Sequence, residues 1–128
     1  MGKFVKECYL QKTNQYDALC VWSKIKNLGV GLVLSLDDKE KNVIARLKSD
    51  PTKILGCISE EDSKSLIPYF EAGWNKYNKD DKKIEKPLYV GSVSRVDEKA
   101  DENKRLSICF ARVERGGCTF TGFRHITL

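Results

Sequence analysis

The sequence predicts an α+β chain that is mainly β, a small partly open antiparallel β-barrel with one main helix near residues 59–73. Three observations carry that expectation. Short apolar runs rich in β-branched residues recur along the chain with turn chemistry between them. One helix-start signature falls mid-chain, at Ser59. Strand and helix patterns do not alternate, as a parallel sheet would require. At 128 residues the chain is long enough for one self-sufficient core and short for two, so residues 1–128 are read as a single domain.

The elements follow in order. "KFVKECYLQ" (3–11) and "YDALCVWSKI" (16–25) each fit a strand or a short helix. "NLGVGLVLSL" (27–36) is a continuous apolar run that reads as a central strand. Its glycines suit a bulge or close backbone approach, since no helix start follows to make a phosphate loop. "DDKEK" is a charged turn, "NVIARLK" a strand, "SDPTK" a turn and "ILGCIS" the next strand, which together predict a three-stranded meander.

At Ser59 the pattern changes. Ser59 is placed as N-cap, with Asp62 as its capping-box-like partner and Glu60 and Glu61 in the first turn. Leu66, Ile67 and Phe70 form the buried stripe, Pro68 bends or interrupts the helix, and Gly73 stops it. Residues 75–86, "NKYNKDDKKIEK", read as an exposed, Lys-rich loop. "PLYVGSVSRV" and "RLSICFARV" are two strong strands, with Val90, Val93, Ile108 and Phe110 as core candidates. A Gly-Gly turn and a last strand, "CTFTGF" (118–123), complete the expectation.

Composition bounds the function. No apolar run reaches the roughly 20 residues that cross a bilayer, and "MGKFVKECYLQKTNQYD" turns polar too soon for a signal peptide. The expected location is the cytoplasm, or the nucleus in a eukaryote, with no membrane partner. The five cysteines include no C-x-x-C pair, and the single histidine, His125, lies seven residues from Cys118. Reduced structural thiols are therefore expected, with no metal and no cofactor. The acidic pairs Asp37/Asp38 and Asp80/Asp81 lie in Lys-rich turns and read as solvated surface, and no Ser-, His- or P-loop constellation is present. The chain is not expected to be an enzyme. A net charge of +5, from 23 basic and 18 acidic residues, permits a nucleic-acid partner without demanding one.

The run from Asn42 to Trp74, with its strand "NVIARL", strand "ILGCIS" and helix "EEDSKSLIPYFEAG", resembles the HIRAN domain family. "LYVGSVSRV" and "RLSICFARV" match the family's closing hairpin, so the resemblance spans about residues 29–113. It implies a barrel that binds nucleic acid, with single-stranded DNA ends as the family's ligand. The family's aromatic and Asp contact positions fall here on Lys39 and Glu40, and the position after the second-strand Gly, commonly Tyr or His, is Cys57. "NQYD" at 14–17 echoes the family's turn but lies too far ahead of "ILG" without an insertion.

The functional expectation is a small nucleic-acid-binding module, accessory to DNA processing and recognising single-stranded DNA or DNA ends. Its candidate site residues are Lys39, Lys41, Asn42, Arg46, Lys48 and Tyr16. Arg46 and Lys48 share a strand face by their spacing. Tyr16, Trp22, Trp74 and Tyr77 are the available stacking rings. Taken singly, each of these residues is also explained as a core aromatic or a lysine solvating an edge. The alternative from another class is a protein-interaction or scaffold domain on the same fold, with a protein partner in its groove.

Overall fold

The computed structural model describes residues 5–37, 39 and 41–112. The expected Gly-Gly turn and last strand, and with them Cys118 and His125, lie outside the described residues, as do Asp38 and Glu40. A six-stranded antiparallel sheet dominates, in the order β1-β8-β7-β2-β3-β4. Its strands are β1 (Val5–Tyr9), β2 (Gly31–Asp37), β3 (Asn42–Leu47), β4 (Asp50–Cys57), β7 (Tyr89–Val96) and β8 (Leu106–Arg112). A separate hairpin joins β5 (Lys76–Asn78) to β6 (Lys83–Glu85).

The sheet curls until its two edges meet. The Gln11 N–H donates to the Cys57 carbonyl at 2.7 Å and the Cys57 N–H to the Gln11 carbonyl at 3.1 Å, which ties the end of β4 to the chain leaving β1. The result is the partly open antiparallel barrel that the strand pattern predicts. Inside lie Leu32 and Leu34 from β2, Val43, Ala45 and Leu47 from β3, and Ile108 and Phe110 from β8. The Tyr89 ring meets Phe70 and Phe110 edge-on, at centroid distances of 6.0 and 6.3 Å.

The meander β2-β3-β4 forms as its alternation predicts, with Leu34 opposite Ala45 and Ile44 opposite Cys57. The connection between β3 and β4 is shorter than "SDPTK" suggests: only Lys48 and Ser49 turn, and Pro51 lies within β4. Its missing N–H is harmless near the start of a strand at the sheet edge. Of the two ambiguous N-terminal runs, the first is the strand β1 and the second contains a single helical turn, α1 (Trp22–Ile25).

The helical stretch near 59–73 is two short helices, α2 (Glu60–Lys64) and α3 (Ile67–Glu71). Pro68 sits in the first turn of α3, where its lack of an N–H leaves no helical bond unmade. The break therefore falls before the proline, at Ser65 and Leu66. Ser59 caps α2 by accepting the Asp62 N–H at 3.2 Å, and Leu66 and Phe70 turn inward as the periodicity requires. Gly73 ends the segment at φ +111°, a conformation glycine adopts without strain. Residues 75–86 differ from the exposed loop expected: most are exposed, but they pair as β5 and β6, and Asn75 is buried.

Cys8, Cys20, Cys57 and Cys109 are free thiols. Burial pushes the Cys8 thiol up from 9.0 to about 12, with the Asp62 carboxylate adding to the effect. The unfolded thiol ionises from about pH 9, whereas the folded one resists until about 12, so stability falls as pH rises through that window. Urea unfolding across it should show a shallower decline for Cys8→Ala than for the wild type; identical declines would refute the assignment.

Candidate nucleic-acid interface

The outer face of β2 and β3 carries Arg46, around which a groove is built. Val33, Ser35, Ile44 and Arg46 share this face through the β2–β3 register, while their neighbours Leu32, Leu34, Ala45 and Leu47 point to the core. Arg46 is held from three sides. Its Nε donates to the buried Ser35 hydroxyl at 2.8 Å, one terminal nitrogen donates to the Pro51 carbonyl at 2.8 Å, and the guanidinium stacks 3.8 Å from the centroid of the Tyr77 ring. Burial lowers its pKa from the ordinary value, against the opposing influence of Tyr77 and Asp37.

The β5–β6 hairpin brings Tyr77 to that position, and Asn75 anchors the hairpin. Pairing of β2 with β7 ends at Val33 opposite Val90. Just beyond, the Asn75 amide fills the gap: its Nδ2 donates to the Leu34 and Tyr89 carbonyls at 2.7 and 2.9 Å, and its Oδ1 accepts the Leu88 and Tyr89 N–H groups at 2.6 and 3.1 Å. Every hydrogen-bonding site of the amide is used. The side chain stands in for a peptide group where two strands part.

A groove of about 550 Å³ lies between the hairpin, the end of α3 and the β2–β3 turn. Leu36 and Phe70 line its apolar part. Lys39, Lys41, Arg46, Lys76 and Lys79 supply five cations against Asp37 and Glu71. Five cations against two acids leave a net positive charge in the groove. The Asp37 carboxylate accepts the Lys39 N–H at 3.1 Å, shaping the turn, and Glu71 lies 4.0 Å from the Lys41 ammonium. The local field in the groove is therefore positive.

A second cleft, about 390 Å³, opens where the sheet closes on itself, between residues 11–12, the start of β3, the end of β4 and α2. Lys41 lines both clefts. Lys12 and Lys64 add positive charge to the second, and Glu60 is its one acid.

The predicted site residues thus divide. Lys39, Lys41 and Arg46 come together in the first groove, and Asn42 joins Lys41 in the second cleft. Lys48 and Tyr16 line neither. Lys48 sits in the turn after β3 with its stem beside Gly31, on the side of β2 that carries Val33 and Ser35, and so away from both clefts. Tyr16 lies in a segment committed to structure: the Asp17 N–H donates to the Ile54 carbonyl at 2.7 Å, and the Asp17 carboxylate accepts the Ile54 N–H at 3.0 Å. That pairing and the bond from Arg105 to the Asn14 side chain give "NQYD" a structural role at the β4 edge. Trp22 packs against the core, whereas Trp74 is 40% exposed. Lys76 and Lys79 were hidden in the Lys-rich run, where nothing local marks which lysines face a groove.

Asp80 and Asp81 fold around Asn78, which accepts the Asp80 N–H at 2.8 Å and donates to the Asp81 carboxylate at 3.2 Å. No group of three or more His, Cys, Asp or Glu among the described residues could hold a metal ion, and no helix among them is long and apolar enough to cross a membrane.

Fold and groove together define a mainly β protein, a partly open antiparallel barrel with a cationic, aromatic-lined groove beside its β2–β3 turn. Comparison with protein-family models, with curated proteins and with solved structures gives no match.

Proposed function

We propose that this protein binds single-stranded nucleic acid in the first groove, as an accessory module to DNA processing of the kind the HIRAN resemblance implies. The observation that carries the reading is the convergence of Lys39, Lys41, Lys76 and Lys79 around the Arg46–Tyr77 stack. Single strands are held by cations along the backbone and by flat faces on which unpaired bases stack. The lysines supply the first, and the stacked guanidinium and ring supply the second.

Arg46 is a poor choice for testing this reading, because its removal would strip the buried Ser35 hydroxyl and the Pro51 carbonyl of a partner. Lys76 and Lys79 are exposed and serve better. Four lysine–phosphate contacts predict a slope of about −3 when log affinity for a labelled single strand is plotted against log salt, at about −0.7 per contact. Lys76→Glu with Lys79→Glu should weaken binding at least tenfold at low salt and flatten the slope by about 1.4. Fluorescence anisotropy with single-stranded and duplex oligonucleotides measures both. Absence of binding at low salt would overturn the proposal and favour a protein partner in the groove.

A further inference from the structure

We propose that Asn42 reads the exocyclic amino group of a nucleobase held in the second cleft, on a strand that passes from the first groove across Lys41. The inference rests on the nucleic-acid reading above and adds a base preference to it. Lys41 lines both clefts, so a chain of phosphates leaving the first groove at Lys41 is led directly into the second. There Lys12 and Lys64 extend the cationic track past the single acid, Glu60.

The polar groups that line the second cleft are mostly committed to the fold. The Ser63 hydroxyl accepts the Val43 N–H and donates to the Ile58 carbonyl, each at 3.3 Å. The Ser59 hydroxyl is tied to Asp62, and the Gln11 carbonyl receives the Cys57 N–H and thiol. Asn42 carries an unmet group: its Oδ1 is buried without a hydrogen-bond partner. A buried, unpaired amide oxygen is unfavourable in the free protein, and turning the amide into the cleft relieves it once a donor is bound there. Lysines provide donors only, so Asn42 contributes a hydrogen-bond acceptor that they cannot. Among nucleobases, adenine, cytosine and guanine carry an exocyclic amino donor, and thymine and uracil do not. A carboxamide also pairs in two-point fashion with adenine. The chemistry selects amino-bearing bases.

Competition between labelled oligo(dA), oligo(dC) and oligo(dT) of equal length tests this. Wild-type protein should prefer dA and dC over dT about five- to tenfold. Asn42→Ala should bring both ratios toward one by weakening dA and dC more than dT. Taking the ratio of wild type to variant removes any preference that stacking alone produces. Lys64→Glu should weaken all three oligonucleotides by a similar factor. The variant is expected to fold normally, because the Asn42 oxygen makes no hydrogen bond that its loss would break. If salt-dependent binding is present but the three oligonucleotides bind equally, or Asn42→Ala keeps the preference, the inference fails while the proposed function stands. If none of the three binds at low salt, both fail.

Discussion

Asn75→Ala is expected to destabilise the protein by about 4 kcal/mol or more, a loss large enough to endanger folding. The substitution removes four hydrogen bonds at once and leaves two carbonyls and two N–H groups between β2 and β7 without partners. Asn75 is 1% exposed, so water cannot readily replace them. Its backbone adds to the cost, since φ is +54° and asparagine tolerates that region better than alanine. Asn75→Asp separates the causes. It keeps the acceptor and the backbone preference but loses both donors and brings charge against the Leu34 and Tyr89 carbonyls, so its loss should approach that of alanine. Urea unfolding of the two variants measures the effect. A change within about 1 kcal/mol for either would mean that the amide does not hold the sheet together at this point.

Gly91→Ala is expected to cost about 3 kcal/mol, because the new methyl group meets backbone. Gly91 lies on β7 between Leu32 of β2 and Phe110 of β8, hydrogen-bonded strands on both sides. A Cβ there would stand 2.5 Å from the Cys109 carbonyl oxygen, 2.9 Å from the Phe110 Cβ and 3.1 Å from its Cα. Replacing glycine restricts the unfolded chain and would ordinarily contribute up to about 1 kcal/mol of stability, but here β7 and β8 must part to admit the methyl group. Gly31→Ala is the internal comparison. Its nearest contact is the flexible Lys48 stem at 3.4 Å, and near-neutral behaviour is expected. A lowered urea midpoint for the first variant and an unchanged one for the second is the predicted pattern; equal stability of the two would refute it.

Much of the fold was legible locally. The apolar run "NVIARL" marked a strand, the Ser59 cap marked where α2 begins, and Gly73 marked where the helical segment stops. These features report on burial, capping and backbone conformation within a few residues. The break before Pro68 was less legible, because a proline can either bend a helix or open the next one, and packing of Leu66 and Phe70 on the core selects between these outcomes.

The candidate site was legible in part. The lysines around the β2–β3 turn and Arg46 could be named because turn and strand place them close together. Lys76 and Lys79 could not, since they reach the same groove through a hairpin some 30 residues further along the chain. Asn75 gave no signal at all: an asparagine opening a Lys-rich stretch resembles any turn residue.

Local pattern was enough to specify a mainly β chain, its meander, its closing strand pair and its helix start, because periodicity and capping record each residue's immediate surroundings. Packing in three dimensions set where the sheet parts to admit Asn75, how Arg46 is locked between Ser35, Pro51 and Tyr77, and which lysines share a wall. Those outcomes come from contacts between distant segments, where long-range strand pairing sets the geometry and short stretches of sequence carry no record of it.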